Sequence, residues 1–131
     1  MDRLFLDANV LFSAAYKIDA GLLPLWKLRN VTLCSSHYAL QEARINLLNE
    51  DQRTRLTELS GSLQLFEARQ TSLPPGLLLP EKDVPIFLAA IEARATHLLT
   101  GDVRHFCAYF GKKIRGIEIR RPGDYLRRNS G

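Results

Sequence analysis

Short apolar segments alternate with longer segments of helical periodicity along most of the chain. Apolar runs predict strands at residues 3–6, 31–35, 63–67, 96–101 and 116–120. The spacing of apolar residues predicts helices at residues 10–16, 21–29, 37–49, 51–59 and 84–95, and a terminal helix after Pro122. Because strands alternate with helices, we expect an α/β fold with a parallel sheet that helices cover on both faces.

The sequence also predicts how two of these helices are capped or buried. Ser35 or Ser36 can cap the helix at 37–49, and the apolar stripe of that helix consists of Leu40, Ala43, Leu47 and Leu48. Glu42 lies off that stripe. The helix at 84–95 is apolar nearly all round, so we expect it to be buried between two layers.

Length and composition indicate one soluble domain. The chain of 131 residues is 46% hydrophobic, and a domain of this size can bury a core without disulfides or structural metals. Cys34 and Cys107 lie far apart and outside any CxxC motif, which predicts reduced thiols, with Cys34 buried in a strand. No apolar run is long enough to cross a bilayer, and the first strand leaves no room for a signal peptide. We therefore expect a cytoplasmic protein.

Positive charge is concentrated at the end of the chain. Residues 104–131 contain eight basic and two acidic residues, whereas residues 1–103 contain ten basic and twelve acidic residues. A basic surface beside an acidic crevice suits a polyanionic substrate, although a solvated basic tail explains the charge equally well. The candidate contacts to a nucleic-acid backbone are Arg104, Lys112, Lys113 and Arg115, with Arg120 and Arg121 as further candidates.

Two acidic residues directly follow predicted strands. Asp7 ends the first apolar segment, and Asp102 follows the fourth. Because ligands of open α/β sheets gather outside the carboxyl ends of the strands, we expect both carboxylates to face one crevice. Glu42 on a helix and Asp83 at a helix start are further candidates for the same site.

Each acidic residue also has a purely structural explanation. An N-cap Asp, such as Asp83 before the helix at 84–95, contributes about 1 kcal/mol by accepting backbone N–H bonds. Asp102 could cap the turn that follows it, and Glu42 could be a surface helix residue paired with Arg44 or Asn46. Asp7 fits a structural role least well, because an ionised group directly after a buried strand is costly without a compensating positive charge.

Grouped carboxylates favour a divalent cation. Two carboxylates about 4 Å apart repel by about 4 kcal/mol at an effective dielectric of ~20, and a bound cation reverses that sign. An all-oxygen set suits Mg²⁺ or Mn²⁺, whereas His37, His97 and His105 lack the spacing of a zinc site. A metal-activated water could then attack a phosphodiester. Asn9 and Thr100, each two residues from an acid, could orient a ligand or a water.

The order and spacing of these motifs resemble those of a PIN domain from end to end. The resemblance rests on residues 6–14, 39–43 and 82–106. It implies a three-layer α/β/α domain spanning residues 1–131, with a central parallel sheet of about five strands. The implied activity is that of a metal-dependent ribonuclease, often acting on single-stranded RNA. The implied metal ligands are Asp7, Glu42, Asp83 and Asp102, with Asn9 and Thr100 as supporting polar residues.

The resemblance also suggests partners. Many small prokaryotic PIN domains are toxins of toxin-antitoxin pairs, are neutralised by an antitoxin segment inserted near the site, and commonly form dimers. An antitoxin protein is therefore a candidate partner, and a homodimer is a candidate assembly.

Other function classes have less support or remain open. There is no GxGxxG, P-loop or GxSxG motif, so the sequence does not favour dinucleotide, nucleoside triphosphate or acyl chemistry. A receiver domain would need an acidic pair after the first strand, where Asp7 stands alone. A non-catalytic RNA- or partner-binding module of the same fold remains open, because a fold does not prove turnover.

Overall fold

Six strands form one sheet in the computed structural model, which describes residues 1–69 and 71–129. In chain order they are β1 (Asp2–Leu6), β2 (Val31–Ser35), β3 (Gln64–Leu65), β4 (His97–Leu99), β5 (Lys113–Ile114) and β6 (Ile117–Arg120). Their order across the sheet is β3-β2-β1-β4-β6-β5. Every pairing is parallel except that between β5 and β6. The predicted parallel sheet is therefore confirmed, with an antiparallel edge strand added.

Helices flank this sheet. They are α1 (Ala8–Ala15), α2 (His37–Asn46), α3 (Glu50–Ser60), α4 (Val84–Glu92), α5 (Val103–Phe106) and α6 (Pro122–Asn129), with 3₁₀ helices at Leu23–Lys27 and Glu81–Asp83. The connections from β1 to β3 run one way across the sheet and those to β4 and β6 run the other way, so right-handed crossovers put helices on both faces. The predicted three-layer α/β/α class is confirmed. In the described part of the chain, no helix is long and apolar enough to cross a membrane.

The central strands β1 and β4 carry the middle of the core. Leu4, Phe5 and Leu6 of β1 are fully buried, as are Leu98 and Leu99 of β4. Consecutive residues of a strand point to opposite faces, so both faces of these strands are covered, which explains their unbroken apolar sequences. All five residues of α4 from 86 to 90 are also buried, in agreement with the helix predicted to lie between layers.

The predicted helix at 37–49 is wrong at its carboxyl end. Helix α2 stops at Asn46, and Leu48, which was expected in the apolar stripe, is 71% exposed. Asn49 instead caps α3: its side chain accepts the Gln52 N–H at 2.9 Å, while the Gln52 side chain accepts the Asn49 N–H at 3.2 Å. This reciprocal capping box ends one helix and starts the next.

Other predicted elements are also shorter than expected, and the strand at 96–101 is limited to His97–Leu99. The helix at 21–29 is only the 3₁₀ helix Leu23–Lys27, since Pro24 lacks an N–H and is tolerated only in the first turn. The strand at 63–67 is limited to Gln64–Leu65, which pairs only with β2 at the edge of the sheet. The helix at 84–95 ends at Glu92.

Strand β5 was not predicted. It forms a hairpin with β6 through Arg115 and Gly116, whose φ angles are 55° and 81°. Two positive φ angles between paired strands define a type I′ turn, which glycine adopts without strain and which usually has the sequence Asn-Gly. The sequence Arg-Gly is a weak signal for this turn, and this is why the hairpin was missed.

The strand order locates the crevice of the fold. The order reverses between β1 and β4, and in doubly wound sheets ligands bind outside the carboxyl ends of the strands at such a switch point. Receiver domains have the order 2-1-3-4-5, in which the first strand lies between the second and the third. Here β1 lies between β2 and β4, so the receiver alternative is excluded by topology.

Candidate metal centre

The crevice at the switch point contains all four acidic residues singled out in the sequence. It is a cavity of about 460 Å³, and its lining includes Asp7, Asn9, Phe12, Glu42, Lys82, Asp83 and Asp102. Asp7 follows β1 and Asp102 lies beyond the end of β4. Glu42 belongs to α2, and Asp83 ends the 3₁₀ helix before α4. The fold therefore brings four distant carboxylates to one place.

Asp7 is the most buried of these acids, with 4% of its surface exposed. Its Oδ1 accepts the Ala8 N–H at 2.6 Å, and its Oδ2 accepts the Thr100 hydroxyl at 2.7 Å. Burial raises the pKa of Asp7 to about 6, because the charged form is desolvated; the Thr100 and Ala8 hydrogen bonds oppose this, and the nearby charges of Asp83 and Asp102 add to it. The site therefore holds a buried carboxylate whose pKa is not lowered by any cation in the part of the chain that the structure describes.

Asn9 and Thr100 link the ends of β1 and β4. The Asn9 amide donates to Thr100 Oγ1 at 3.2 Å, and Asn9 Oδ1 accepts the Gly101 N–H at 2.8 Å. Thr100 Oγ1 also accepts the Asp102 N–H at 3.1 Å. The two polar side chains predicted to support the site thus fix the backbone and the carboxylate around it.

Asp83 and Asp102 lie on either side of His105. The His105 Nδ1 is 2.7 Å from Asp83 Oδ2 and 2.6 Å from Asp102 Oδ2. Burial raises the pKa of Asp83, and the neighbouring His105 opposes that shift. Asp83, Asp102 and His105 each offer a ligand atom within 4.8 Å of the others, so this group can hold a metal ion. This group places a histidine beside two of the four predicted acids.

The capping roles considered for these acids are only partly observed. Asp102 does cap α5, since its Oδ1 accepts the His105 N–H at 3.2 Å. Asp83 precedes α4, but its side chain makes no capping hydrogen bond. The buried carboxylate of Asp83 is therefore not explained by helix capping.

Glu42 approaches the cavity from α2, beside Tyr38. Burial raises the pKa of Tyr38 to about 12, and the hydrogen bond and negative charge of Glu42 act in the same direction. The Tyr38 hydroxyl also donates to the Lys82 carbonyl at 3.1 Å. Arg44, considered as a surface partner of Glu42, donates instead to Thr57 Oγ1 at 3.0 Å.

The predicted backbone-binding residues are not gathered at one place. Arg104 is exposed and lines a second cavity, of about 510 Å³, which shares Asn9 and Asp102 with the first. Lys112 and Lys113 are exposed along the edge strand, and Arg115 is in the hairpin turn before β6. That turn is at the amino end of β6, opposite the carboxyl ends that form the site. Of these residues, only Arg104 lines a cavity beside the acids.

Three residues of the site were not singled out as functional. His105 is three residues after Asp102, a spacing that puts both on one side of a helical turn. Tyr38 is four residues before Glu42 on α2, and the same periodicity would have paired them. Lys82 lines the cavity beside Asp83, its neighbour in the sequence.

A solved structure has a fold similar to that of this chain. The chain matches the crystal structure of VapBC2 from Rickettsia felis bound to a DNA fragment from their promoter, with a TM-score of 0.62. The match covers 91% of this chain and 98% of the other, at 19% sequence identity. No family model and no curated protein matches the chain. At this level of identity the likeness supports the fold alone.

The buried Asp7 gives a testable pH dependence in the metal-free protein. Its pKa is about 6 in the folded chain against 3.8 without burial, so the folded state binds the proton more tightly. The resulting stabilisation is complete below pH 3.8 and is lost as pH rises through about 6. We expect the unfolding free energy of wild type, minus that of Asp7→Asn, to fall over this range when measured with urea.

This difference isolates Asp7 from other titrating groups. Burial lowers the pKa of His97, which makes stability rise with pH and acts in the opposite direction in both proteins. A difference between wild type and Asp7→Asn that stays constant from pH 4 to pH 8 would contradict the burial of an ionisable Asp7.

Proposed function

We propose that the protein is a Mg²⁺- or Mn²⁺-dependent endoribonuclease that hydrolyses RNA phosphodiester bonds with a metal-activated water. The observation that carries the proposal is the convergence of Asp7, Glu42, Asp83 and Asp102 on one cavity. That cavity lies at the switch point of the sheet, where α/β folds place their ligands. The PIN-domain resemblance supports the same activity, and the likeness to VapBC2 supports the fold that carries the site.

The residues present fit a divalent cation. Asp7 and Asp83 are buried carboxylates in one cavity, and Asp83 Oδ2 has no hydrogen-bond partner among the described residues. A buried and unpartnered carboxylate oxygen is costly, and a cation is the ligand that would satisfy it. A bound divalent ion would make a water more acidic and offset the charge that develops on the phosphate.

The surrounding residues hold the acids in place. Thr100 and Ala8 donate to the two oxygens of Asp7 and fix the carboxylate plane. The backbone N–H of His105 donates to Oδ1 of Asp102, so Oδ2 of that carboxylate faces the site. Carboxylates held in fixed positions lower the entropic cost of ordering the site when substrate binds.

The substrate proposed is single-stranded RNA. Asn9 and Asp102 line both cavities, so a strand whose scissile phosphate lies at the acids could extend toward Arg104. Arg104 is an exposed cation beside Asp102, and it suits a neighbouring phosphate. This arrangement supports a contact to the RNA backbone that does not depend on sequence.

A protein partner is part of the proposal. VapBC2 was crystallised with a promoter DNA fragment. Together with the PIN-domain resemblance, this supports a toxin-antitoxin toxin, with an antitoxin protein that binds near the site and a homodimeric assembly.

A cleavage assay separates this function from its alternative. End-labelled single-stranded RNA is incubated with the full chain in millimolar Mg²⁺ or Mn²⁺, in a chelator, and in a chelator followed by excess metal. We expect internal cleavage that the chelator stops and the excess metal restores. RNA that is bound but remains intact under every condition would favour the non-catalytic RNA-binding module.

The placement of the basic residues predicts unequal contributions to RNA binding. We expect Arg104→Ala to weaken binding to unrelated RNAs by a similar factor and to reduce the log-log salt slope by about 0.7, the value for one lost single-strand contact. Arg115→Ala is the matched control, because it removes the same charge at the opposite end of the sheet. Filter binding at several salt concentrations measures both; equal slopes for wild type and Arg104→Ala would exclude the contact.

A further inference from the structure

His105 lies at the centre of the tightest group of ligand atoms in the cavity region. Its Nδ1 is 2.7 Å from Asp83 Oδ2 and 2.6 Å from Asp102 Oδ2, although the three residues belong to two separate segments. The helical turn of α5 brings His105 beside Asp102, and the 3₁₀ helix before α4 supplies Asp83. A ring nitrogen and two carboxylate oxygens therefore converge on one point.

These contacts are close enough for ion pairs, but neither is a well-aligned hydrogen bond. His105 Nδ1 and Asp83 Oδ2 are both buried, and neither has a hydrogen-bond partner in the part of the chain that the structure describes. The Asp83 side chain is only 7% exposed, so water cannot readily solvate this oxygen. Buried polar atoms are nearly always well hydrogen-bonded, and a buried carboxylate oxygen and ring nitrogen without such bonds suit a shared cation.

The backbone arrangement leaves these atoms available. Asp102 uses Oδ1 to cap α5, so its Oδ2 is free to face His105. Asp83 makes no cap to α4, so neither of its oxygens is used by that helix. Neighbouring ligands of an octahedral ion at about 2.1 Å lie about 3 Å apart, so the separations here need to open by only a few tenths of an ångström.

We propose that His105 is a metal ligand through Nδ1, together with Asp83 and Asp102, and that this nitrogen makes the site prefer Mn²⁺ to Mg²⁺. Mg²⁺ is held by oxygen ligands, whereas imidazole suits the first-row transition ions. The inference rests on the proposed metal-dependent function and adds to it the ligand that selects the ion. It replaces the all-oxygen set with a mixed nitrogen and oxygen set.

Electron spin-echo spectroscopy of bound Mn²⁺ tests this ligand directly. The full chain is loaded with Mn²⁺ alone, once with natural histidine and once with ¹⁵N-labelled histidine. We expect a nitrogen coupling to Mn²⁺ that changes with the ¹⁵N label, which requires a histidine ligand. Because this comparison uses the unaltered chain, it does not depend on the folding of a variant.

Two variants identify which histidine is the ligand. His105→Asn places an oxygen near the position of Nδ1, so it should lose the nitrogen coupling and lower the preference for Mn²⁺ over Mg²⁺ at least about tenfold. His37→Asn is the matched control, since His37 is exposed and contacts Glu67 instead of the cavity acids. It should keep both the coupling and the preference.

The possible failures are distinguishable. Mn²⁺ that binds the chain without nitrogen coupling, or with a coupling that survives His105→Asn, would overturn the role of His105 and leave the acidic site intact. A chain that binds no Mn²⁺ would overturn both this inference and the proposed metal-dependent function.

Discussion

Asp7→Asn should reduce metal-dependent RNA cleavage by roughly 10³-fold while making the metal-free protein more stable at pH 7. A metal-binding carboxylate supports several kcal/mol of transition-state stabilisation, and about 1.4 kcal/mol corresponds to a factor of ten in rate. Asparagine is nearly isosteric and can still accept the Ala8 N–H that caps α1. The activity loss would then come from the missing charge, with the fold retained.

The stability gain follows from the burial of Asp7. Its pKa rises from 3.8 to about 6, so the charged form costs at most about 3 kcal/mol at neutral pH. Asparagine carries no charge and removes part of that cost. For a chain of this length, each kcal/mol corresponds to roughly 4 °C in melting temperature.

A surface substitution controls for the change of residue type. Asp19 is exposed and lies outside both cavities at the switch point, so Asp19→Asn should alter neither cleavage nor melting. Single-turnover cleavage and thermal melting of the three proteins measure the two effects together. An Asp7→Asn protein that is both active and unchanged in stability would exclude Asp7 from the site.

Adding Mg²⁺ or Mn²⁺ should raise the melting temperature of the wild-type protein, and removing it should reverse the effect. An ion that binds only the folded chain stabilises it by about 2.7 kcal/mol at a concentration one hundred times its Kd. For a protein of this size that corresponds to roughly 10 °C. The gain should be larger at pH 7.5 than at pH 5, because Asp7 must release its proton before it can bind an ion.

The same titration on a variant identifies the source of the stabilisation. Asp7→Asn should show a smaller metal-dependent shift, since one negative ligand is lost and the repulsion that the ion relieves is weaker. Thermal melting that is indifferent to millimolar metal in wild type would contradict a metal site in the free protein.

The position of the acids could be predicted because the parallel sheet imposes it. Asp7 and Asp102 each follow an apolar strand, and the carboxyl ends of parallel strands meet at one edge. Their convergence could therefore be predicted from the apolar periodicity of the sequence and from the parallel class of the sheet. The buried helix α4 could be predicted for a similar reason, since an apolar residue at nearly every position leaves no face for solvent.

Other features depend on contacts that a linear pattern does not contain. The proximity of His105 to Asp102 follows from helical spacing, but its contact with Asp83 depends on how the turn after β4 lies against the start of α4. Helix α2 ends before Leu48 because the side chains of Asn49 and Gln52 cap the following helix, which overrides the continuing apolar period.

Charge along the sequence was also a poor guide to position in the fold. The basic residues near the carboxyl end form one group in the sequence, but the type I′ turn at Arg115 and Gly116 reverses the chain within that group. Arg104 follows the carboxyl end of β4, whereas Arg115 is in the turn at the amino end of β6. The position of each charge depends on a hairpin that the sequence signals only weakly.

The central claim is that Asp7, Glu42, Asp83 and Asp102 surround a divalent-metal site at the carboxyl ends of β1 and β4. An anomalous-difference map from crystals of the full chain soaked in Mn²⁺ tests it most directly. The account predicts a strong peak inside the cavity, within coordination distance of Asp83 and Asp102 and beside Asp7. A cavity without a peak while Mn²⁺ binds elsewhere on the chain, or a peak that persists unchanged in Asp83→Asn, would contradict it.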